Sequence, residues 1–122
     1  MKYFNLNEFT CKCGCQKALM SEEFLQRLDA LRGVFGKPMV VTSGYRCPKH
    51  NAKVSTTGSN GPHTTGNAVD IATSGTDAYN LAYLAIKFGF TGIGVRQNGP
   101  HEARFLHLDT LEGNTRPWLW TY

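Results

Sequence analysis

The sequence contains no apolar stretch near the roughly 20 residues that a transmembrane helix needs, so a membrane-spanning protein is excluded. It has no internal repeat and no low-complexity tract, which excludes solenoid and collagen-like architectures. Its 13 lysine and arginine residues form no basic run, so the chain has no nucleic-acid-binding arm. The first residues, MKYFNLNEF, lack the apolar segment and cleavage site of a signal peptide, and we therefore expect a cytoplasmic protein.

The 122 residues are the length of one typical domain, and we expect a single domain over residues 1–122. Hydrophobic residues make up 41% and aromatic residues 11% of the chain, which excludes a disordered protein. The formal net charge of +4 suits an anionic polymer such as nucleic acid or a cell wall. Because many proteins are this basic, charge alone does not identify a partner.

Apolar spacing predicts two main helices. Ser21 is a helix-capping residue followed by two acids, and apolar residues recur at helical spacing as far as Phe35. Gly36 and Pro38 end this helix, and a second helix is predicted over residues 77–88. Short strands are predicted at residues 39–42, 67–73, 92–95 and 105–110. This order predicts an α+β fold with an antiparallel sheet. The short aromatic C-terminal segment TRPWLWTY is expected to pack on the body of the domain.

Residues 43–66 are polar, and a segment this long in a small domain is usually functional or contains a short helix. His63 lies near its end, and Gly66 permits a tight turn before the next strand. Asp70 interrupts the apolar strand sequence AVDIA, and a buried carboxylate needs a cation or several hydrogen-bond donors. The short separation between His63 and Asp70 lets the chain fold back and bring both side chains together.

The segment FLHLDT is the second polar cluster. Strand alternation places His107 and Asp109 on one face and Leu106 and Leu108 on the other, and the leucines are expected to face the core. Two imidazoles and one carboxylate with an open fourth position are typical of catalytic zinc. The combination predicts a zinc site at His63, Asp70 and His107. The alternative is that the histidines are hydrogen-bonded structural residues.

Four cysteines are spaced unevenly, with three in the segment CKCGC and the fourth further along the chain. Alternate residues of an extended segment do not easily bridge each other, so a disulfide would join one of the three to Cys47. A second zinc site of four thiolates is another interpretation. Reduced thiols in a cytosolic protein are the third. The spacing leaves all three open for Cys11, Cys13, Cys15 and Cys47.

Several sequence motifs occur in a fixed order: residues 41–51 (VTSGYRCPKHN), 63–70 (HTTGNAVD), 92–95 (GIGV) and 105–109 (FLHLD). Together they resemble the M15 family of zinc peptidases, in the branch that includes D-alanyl-D-alanine carboxypeptidases and phage endolysins. The segments FNLNEFTCKC near the N-terminus and RPW near the C-terminus also resemble that branch. The resemblance rests on the ordered combination, since each motif alone is weak.

The resemblance implies a small α+β fold, shared with the hedgehog signalling domain, with zinc on one face of an antiparallel sheet. It implies that His63, Asp70 and His107 are the zinc ligands. It also implies that Arg46, which follows Ser-Gly-Tyr, meets the substrate or the transition-state charge. The implied substrates are peptidoglycan stem peptides containing D-amino acids, cut by a carboxypeptidase or by an L-Ala–D-Glu-type endopeptidase.

The chain departs from the family at the general base. Several relatives carry an acid three residues before the last zinc histidine, where this chain has Arg104. Arginine stays protonated and cannot accept a proton, so the base lies elsewhere or is lacking. One candidate is Asp109, which shares a face with His107 and could alternatively orient a metal ligand. The other is Glu102, with its neighbour His101, in the turn before the last predicted strand.

We therefore expect a monomeric zinc peptidase that acts on bacterial cell-wall peptides, with no nucleic-acid or membrane partner. The lack of a signal-like segment fits a phage-encoded lysin that is cytoplasmic until another factor releases it to the wall. The alternative is a non-catalytic zinc module that binds the cell wall or a protein partner. Arg104, in the position of the usual acid, favours this alternative.

Overall fold

The computed structural model describes residues 1–122 and contains three α-helices and five strands. The helices are α1 (Glu22–Phe35), α2 (Pro48–Val54) and α3 (Gly75–Lys87). The strands are β1 (Val40–Ser43), β2 (Ala68–Ala72), β3 (Gly92–Arg96), β4 (Phe105–Asp109) and β5 (Trp118–Thr121). Short 3₁₀ turns lie at Leu6–Phe9, Gly58–Asn60, Pro62–Thr65 and His101–Ala103. None of the helices combines the length and the apolar character that crossing a membrane requires.

The five strands form one sheet in the order β1-β2-β4-β3-β5. The predicted α+β class is confirmed, and neighbouring strands are antiparallel as predicted except β3 and β5, which are parallel. The C-terminal segment does more than pack on the body, because it adds the edge strand β5. Asp109 at the end of β4 lies beside Gly92 at the start of β3. A short connection therefore brings Trp118 to that same end, and β5 runs parallel to β3.

The apolar core lies between the sheet and the two long helices. Helix α1 begins as predicted, with the Ser21 hydroxyl accepting a hydrogen bond from the Phe24 N–H at 3.3 Å. It ends at Gly36, whose φ of 76° is the left-handed conformation that glycine adopts most readily. Helix α3 packs against α1 and β4. The largest buried members of the core are Phe9, Phe24, Leu28, Leu31, Ile71, Leu81, Leu106 and Leu108.

The opposite face of the central strands is polar and also buried. Leu106 and Leu108 of β4 join the core, whereas His107 and Asp109 lie on the other side of the strand, as alternation predicts. Asp70 of β2 pairs directly with His107 in the β2–β4 ladder. The polar side chains of the central strands therefore lie on the face of the sheet opposite the core and helices α1 and α3.

The polar segment 43–66 is ordered around helix α2 and two of the 3₁₀ turns. Asn51 is buried, and its amide donates a hydrogen bond to the Thr57 hydroxyl at 2.9 Å. The Arg46 N–H donates to the His63 carbonyl at 3.1 Å, which ties the start of the segment to its end. These contacts hold His63 at a fixed position beside the polar face of the sheet.

Candidate metal centre

Three buried side chains converge on the polar face of the sheet. His63 comes from a 3₁₀ turn, Asp70 from β2 and His107 from β4. The Asp70 Oδ1 atom lies 3.3 Å from His63 Nε2 and 3.1 Å from His107 Nδ1. Because Asp70 and His107 are opposite each other in the ladder, the strand register itself places two of the donors. The structure brings the predicted trio together as a group able to hold a metal ion.

The remaining nitrogen of each histidine is occupied by a hydrogen bond. His63 Nδ1–H donates to the Gly44 carbonyl oxygen at 2.8 Å, and His107 Nε2–H donates to Asp109 Oδ2 at 2.8 Å. These bonds select the tautomers that leave His63 Nε2 and His107 Nδ1 as lone-pair donors. Both lone pairs are directed toward Asp70, so a cation there would be bound by His63, His107 and Asp70 together.

The donor separations fit a tetrahedral zinc ion. Zinc bonds of about 2.0–2.2 Å to nitrogen and oxygen place tetrahedral ligands about 3.3–3.5 Å apart. The distances of 3.3 Å and 3.1 Å from Asp70 Oδ1 lie close to that spacing. Protein ligands would fill three positions, and the fourth would face the cleft above them, as in catalytic rather than structural zinc sites.

Protonation of the metal-free cluster follows from its contacts. Burial alone would raise the pKa of Asp70, but hydrogen bonds from His107 and His63 hold that pKa well below its ordinary value. Burial alone would lower the pKa of His107, whereas its hydrogen bonds to Asp109 and Asp70 raise it. These contacts favour the protonated form of His107 in the metal-free cluster, and protons compete with metal for such donors.

Asp109 is fully buried behind His107 and has both carboxylate oxygens engaged. Arg116 donates to it twice, from Nε to Oδ1 at 2.9 Å and from Nη2 to Oδ2 at 2.8 Å. The Leu111 N–H adds a third bond at 3.2 Å. Burial would raise the pKa of Asp109, but His107 and Arg116 lower it to about 2. Asp109 is thus ionised at neutral pH, and its contacts are those of a residue that orients a metal ligand.

Glycine in strand β3 makes room for this carboxylate. Gly92 pairs with Asp109 across the β3–β4 ladder, and a Cβ atom at Gly92 would overlap the Asp109 carboxylate. Gly94 pairs with His107, and a Cβ there would lie 2.7 Å from the Trp120 indole nitrogen. The motif GIGV therefore provides space for the side chains that support His107.

Arg46 lies at the edge of the donor cluster and is held on three sides. Its Nε–H donates to the Ser43 hydroxyl at 3.0 Å, and Nη1–H donates to Asn51 Oδ1 at 3.3 Å. Its Nη2 lies 3.5 Å from Asp70 Oδ2, the carboxylate oxygen that does not face the histidines. The predicted substrate-binding residue is therefore fixed beside the three candidate donors, with 17% of its side chain exposed.

A cleft of about 890 Å³ opens over the three donors. Residues of the polar segment 43–66 and of the C-terminal strand β5 line it. Three arginines contribute positive charge to the lining, namely Arg46, Arg96 and Arg116. Its aromatic side chains are Phe105, Trp118, Trp120 and Tyr122.

The other predicted general base, Glu102 with its neighbour His101, lies outside this cleft. Glu102 and His101 are exposed in the 3₁₀ turn before β4, and neither lines the cleft. Arg104 donates two hydrogen bonds to the Gly99 carbonyl, at 3.1 Å and 3.0 Å, and so braces this turn. The catalytic roles of Glu102 and Asp109 stay predictions.

Two contributors to the site lie outside the predicted set of residues. Arg116 supplies the charge that opposes Asp109, and Trp120 packs on His107 with ring centroids 5.0 Å apart. Trp118 and Trp120 alternate with other residues in the segment TRPWLWTY, a pattern that is typical of a strand and from which β5 could have been predicted. Nothing in the sequence indicates that Arg116 faces Asp109, because that contact depends on how β5 joins the sheet.

A comparison with protein families identifies the chain. The family described as Peptidase M15 matches residues 2–109, which is most of the sequence, and the chain belongs to this family. The match ends at Asp109, so Arg116 and β5 lie beyond it. No curated protein matches the chain. Family membership makes the chain a metallopeptidase, and the cluster of His63, Asp70 and His107 is the metal-binding group that its structure offers.

Proposed function

We propose that the protein is a zinc-dependent peptidase that hydrolyses D-amino-acid-containing stem peptides of bacterial peptidoglycan. The observation that carries the proposal is the buried set of His63, Asp70 and His107, with donor spacing suited to zinc, below an open cleft. Membership of the peptidase family supports the reaction class. The resemblance of the ordered motifs to carboxypeptidases and endolysins supports the substrate class.

The chemistry divides between the metal and the side chains around it. Zinc bound here would act as a Lewis acid that polarises the scissile carbonyl and lowers the pKa of a water molecule. Asp70 would offset part of the metal charge, and the two histidines would keep neutral donor nitrogens toward it. The fixed outer hydrogen bonds keep this geometry in place before substrate arrives.

Arg46 is proposed to bind the substrate or the charge that develops in the transition state. Its guanidinium is positioned by Ser43 and Asn51 rather than by the substrate, so little conformational freedom is lost on binding. A planar guanidinium suits a carboxylate or an oxyanion. Stem peptides carry free carboxylates, and a further arginine of the cleft, Arg96, would favour such anionic substrates.

Asp109 and Glu102 are the two predicted candidates for the general base. The contacts of Asp109 favour a positioning role, because both of its oxygens are engaged and its pKa of about 2 makes it a weak base. Glu102 would need the exposed turn His101–Ala103 to move toward the cleft before it could accept a proton.

The proposal allows two classes of peptide bond as the bond that is cut. A carboxypeptidase would remove a terminal D-alanine, and an endopeptidase would cut within the stem, for example between L-Ala and D-Glu. We further propose that the protein works as a monomer, with no nucleic-acid or membrane partner, at the cell wall after release from the cytoplasm. A phage origin fits this route and rests on the endolysin resemblance.

The second candidate function is a non-catalytic zinc module that binds the cell wall or a protein partner. Arg104 favours it, because the position three residues before His107 carries a permanent cation instead of an acid. The cleft and the zinc-like donor set would then serve recognition alone.

Newly formed amino groups in a suspension of purified peptidoglycan separate the two functions, because a carboxypeptidase and an endopeptidase each free one amine for every bond that is cut. The zinc-loaded wild-type protein is expected to increase the amount of free amine, and His107→Ala is expected to leave it unchanged. His50→Ala is the matched control, because His50 lies in α2 and does not line the cleft. Binding of the zinc-loaded protein to the wall without new amino groups would replace the peptidase with the binding module.

A further inference from the structure

The four cysteines form a second cluster of candidate metal ligands, with no residue in common with the cluster of His63, Asp70 and His107. Cys11, Cys13 and Cys15 lie in one loop near the N-terminus, and Cys47 is the residue that precedes helix α2. Their Sγ atoms all lie within 4.8 Å of one another. We refer to these residues as the cysteine cluster.

The sulfur separations discriminate between the interpretations that the sequence leaves open. Cys11 Sγ lies 3.5 Å from Cys13 Sγ and 3.8 Å from Cys47 Sγ, and the Cys13–Cys47 distance is 3.5 Å. A disulfide would need about 2.05 Å, and no pair approaches it. Zinc–sulfur bonds of about 2.3 Å place tetrahedral thiolates about 3.8 Å apart. The cluster therefore has the dimensions of a zinc tetrathiolate site.

The backbone around the cluster is arranged as a turn that presents several sulfurs to one point. Gly14 has a φ of 91° and Gln16 a φ of 61°, so the loop reverses direction within a few residues. It closes where the Cys11 N–H donates to the Lys17 carbonyl at 2.8 Å. The Cys47 N–H donates to Cys11 Sγ at 3.4 Å, which is a contact that stabilises a thiolate.

Charge in the sequence also suits a metal tetrathiolate. Four thiolates and one Zn²⁺ carry a net charge of about −2. Three lysines lie within two positions of a cluster cysteine, namely Lys12, Lys17 and Lys49. Their ammonium groups would offset this charge at the surface, where the cluster is partly exposed.

From this geometry we propose that the cysteine cluster binds a structural zinc ion, separate from the metal held by the histidines. All four ligand positions are filled by protein sulfur, which is the closed coordination of a structural site. The ion would join the N-terminal loop to the residue that begins helix α2.

The joined segments also support the histidine site. Gly44, whose carbonyl accepts the hydrogen bond from His63, and Arg46, which contacts Asp70, are within three residues of Cys47. The Tyr45 N–H donates to the Phe9 carbonyl at 2.9 Å, so the same two chain segments are paired just before the cluster. A zinc ion in the cluster would therefore hold in place the loop that orients His63.

Metal content of the protein purified under reducing conditions tests the proposal. We expect two zinc ions per chain in the wild type, one in Cys13→Ser, one in His107→Ala, and none when both substitutions are combined. Lys12→Ser is the matched control in the same loop and is expected to keep both ions. His50→Ala is also expected to keep both, which excludes its imidazole as a ligand.

Cobalt substitution identifies the ligand atoms without any assay of activity. The wild type and His107→Ala are expected to show thiolate-to-cobalt charge-transfer absorption, and Cys13→Ser is expected to lack it. Because His107→Ala leaves every cysteine intact, this result does not depend on how a cysteine variant folds. It is equally independent of whether the protein cleaves peptidoglycan.

Three results would overturn the proposal. One is a wild type that holds a single zinc ion, lost in His107→Ala and kept in Cys13→Ser. The second is an absence of sulfur-to-cobalt absorption in the wild type. The third is an intact mass, measured without reductant, that is lower by two hydrogens and shows a disulfide within the cysteine cluster.

Discussion

Asp109 Oδ2 accepts a hydrogen bond from His107 Nε2 at 2.8 Å, and both residues project from the same side of strand β4. The opposite nitrogen of His107 lies 3.1 Å from Asp70. A carboxylate behind a metal-ligating imidazole fixes its tautomer and raises its basicity. Because Arg116 in turn holds Asp109, a chain of charged contacts runs from the C-terminal segment to the metal site.

The first prediction concerns this pair. Asp109→Asn is expected to weaken zinc binding at the histidine site by about 10–100-fold, because an amide orients the imidazole without supplying charge. Zinc affinity by chelator competition and kcat should be measured on the same samples. Glu102→Gln is the companion variant and is expected to keep zinc affinity. Wild-type zinc affinity in Asp109→Asn, together with a kcat lower by about two to four orders of magnitude, would instead make Asp109 the general base.

The second prediction ranks two of the ligands. Asp70→Asn is expected to lower zinc affinity less than His63→Ala, because an amide oxygen can still coordinate while its charge is lost. Zinc affinities of both variants, measured at one pH, give the order. Unchanged zinc affinity and unchanged activity in Asp70→Asn would mean that Asp70 has a structural role in strand β2 and is not a metal ligand.

The third prediction concerns the space beside Asp109. Gly92→Ala places a methyl group where the carboxylate lies, so we expect destabilisation of about 1–3 kcal/mol and weaker zinc binding. Gly33→Ala is the control, since its added carbon would meet only the Tyr3 ring at 3.3 Å and alanine favours the helix. Denaturant unfolding of both variants measures the difference. Equal stability of the two would show that β3 tolerates a side chain at Gly92.

The fourth prediction concerns pH in the zinc-free protein. The pKa of Asp109 is lowered to about 2 in the folded state, below the unfolded value of about 3.9. Its ionised form therefore adds stability above about pH 4, and that stability is lost as the pH falls toward 2. Asp70, whose pKa is also lowered, acts in the same direction.

Thermal unfolding between pH 7 and pH 2 checks this sign. Arg116→Met removes one of the groups that lower the pKa of Asp109, so its melting temperature is expected to fall less steeply with acid than that of the wild type. It is also expected to be less stable at neutral pH, since a buried carboxylate loses its partner. Parallel curves for the two proteins would contradict the role given to Arg116.

Much of the fold follows from local patterns in the sequence. Ser21 and Gly36 mark the ends of α1, and the alternation around His107 assigns each side of β4 correctly. The parallel pairing of strand β5 could not be predicted, because it depends on which end of the sheet the chain reaches after Asp109. Long-range strand order leaves no local periodicity to detect.

The candidate site also has residues that the sequence predicts and contacts that only the structure shows. His63, Asp70 and His107 are recognisable from residue type and order, and the structure places them together. The contact between Asp109 and Arg116 is not recognisable, since it joins a strand to a segment without regular structure. For the cysteine cluster, spacing alone allows a disulfide, a metal site or free thiols, and only the separations between sulfur atoms distinguish them.

The proposed function depends most on one reaction, the zinc-dependent hydrolysis of a stem-peptide bond. Mass spectrometry of purified peptidoglycan treated with the zinc-loaded protein in heavy-oxygen water tests it most directly. We predict shortened stem peptides or released D-alanine, with one heavy oxygen in each newly formed carboxylate and no product from His107→Ala. Unaltered stem peptides after treatment with protein that carries zinc at the histidine site would show that the protein is not a stem-peptide hydrolase.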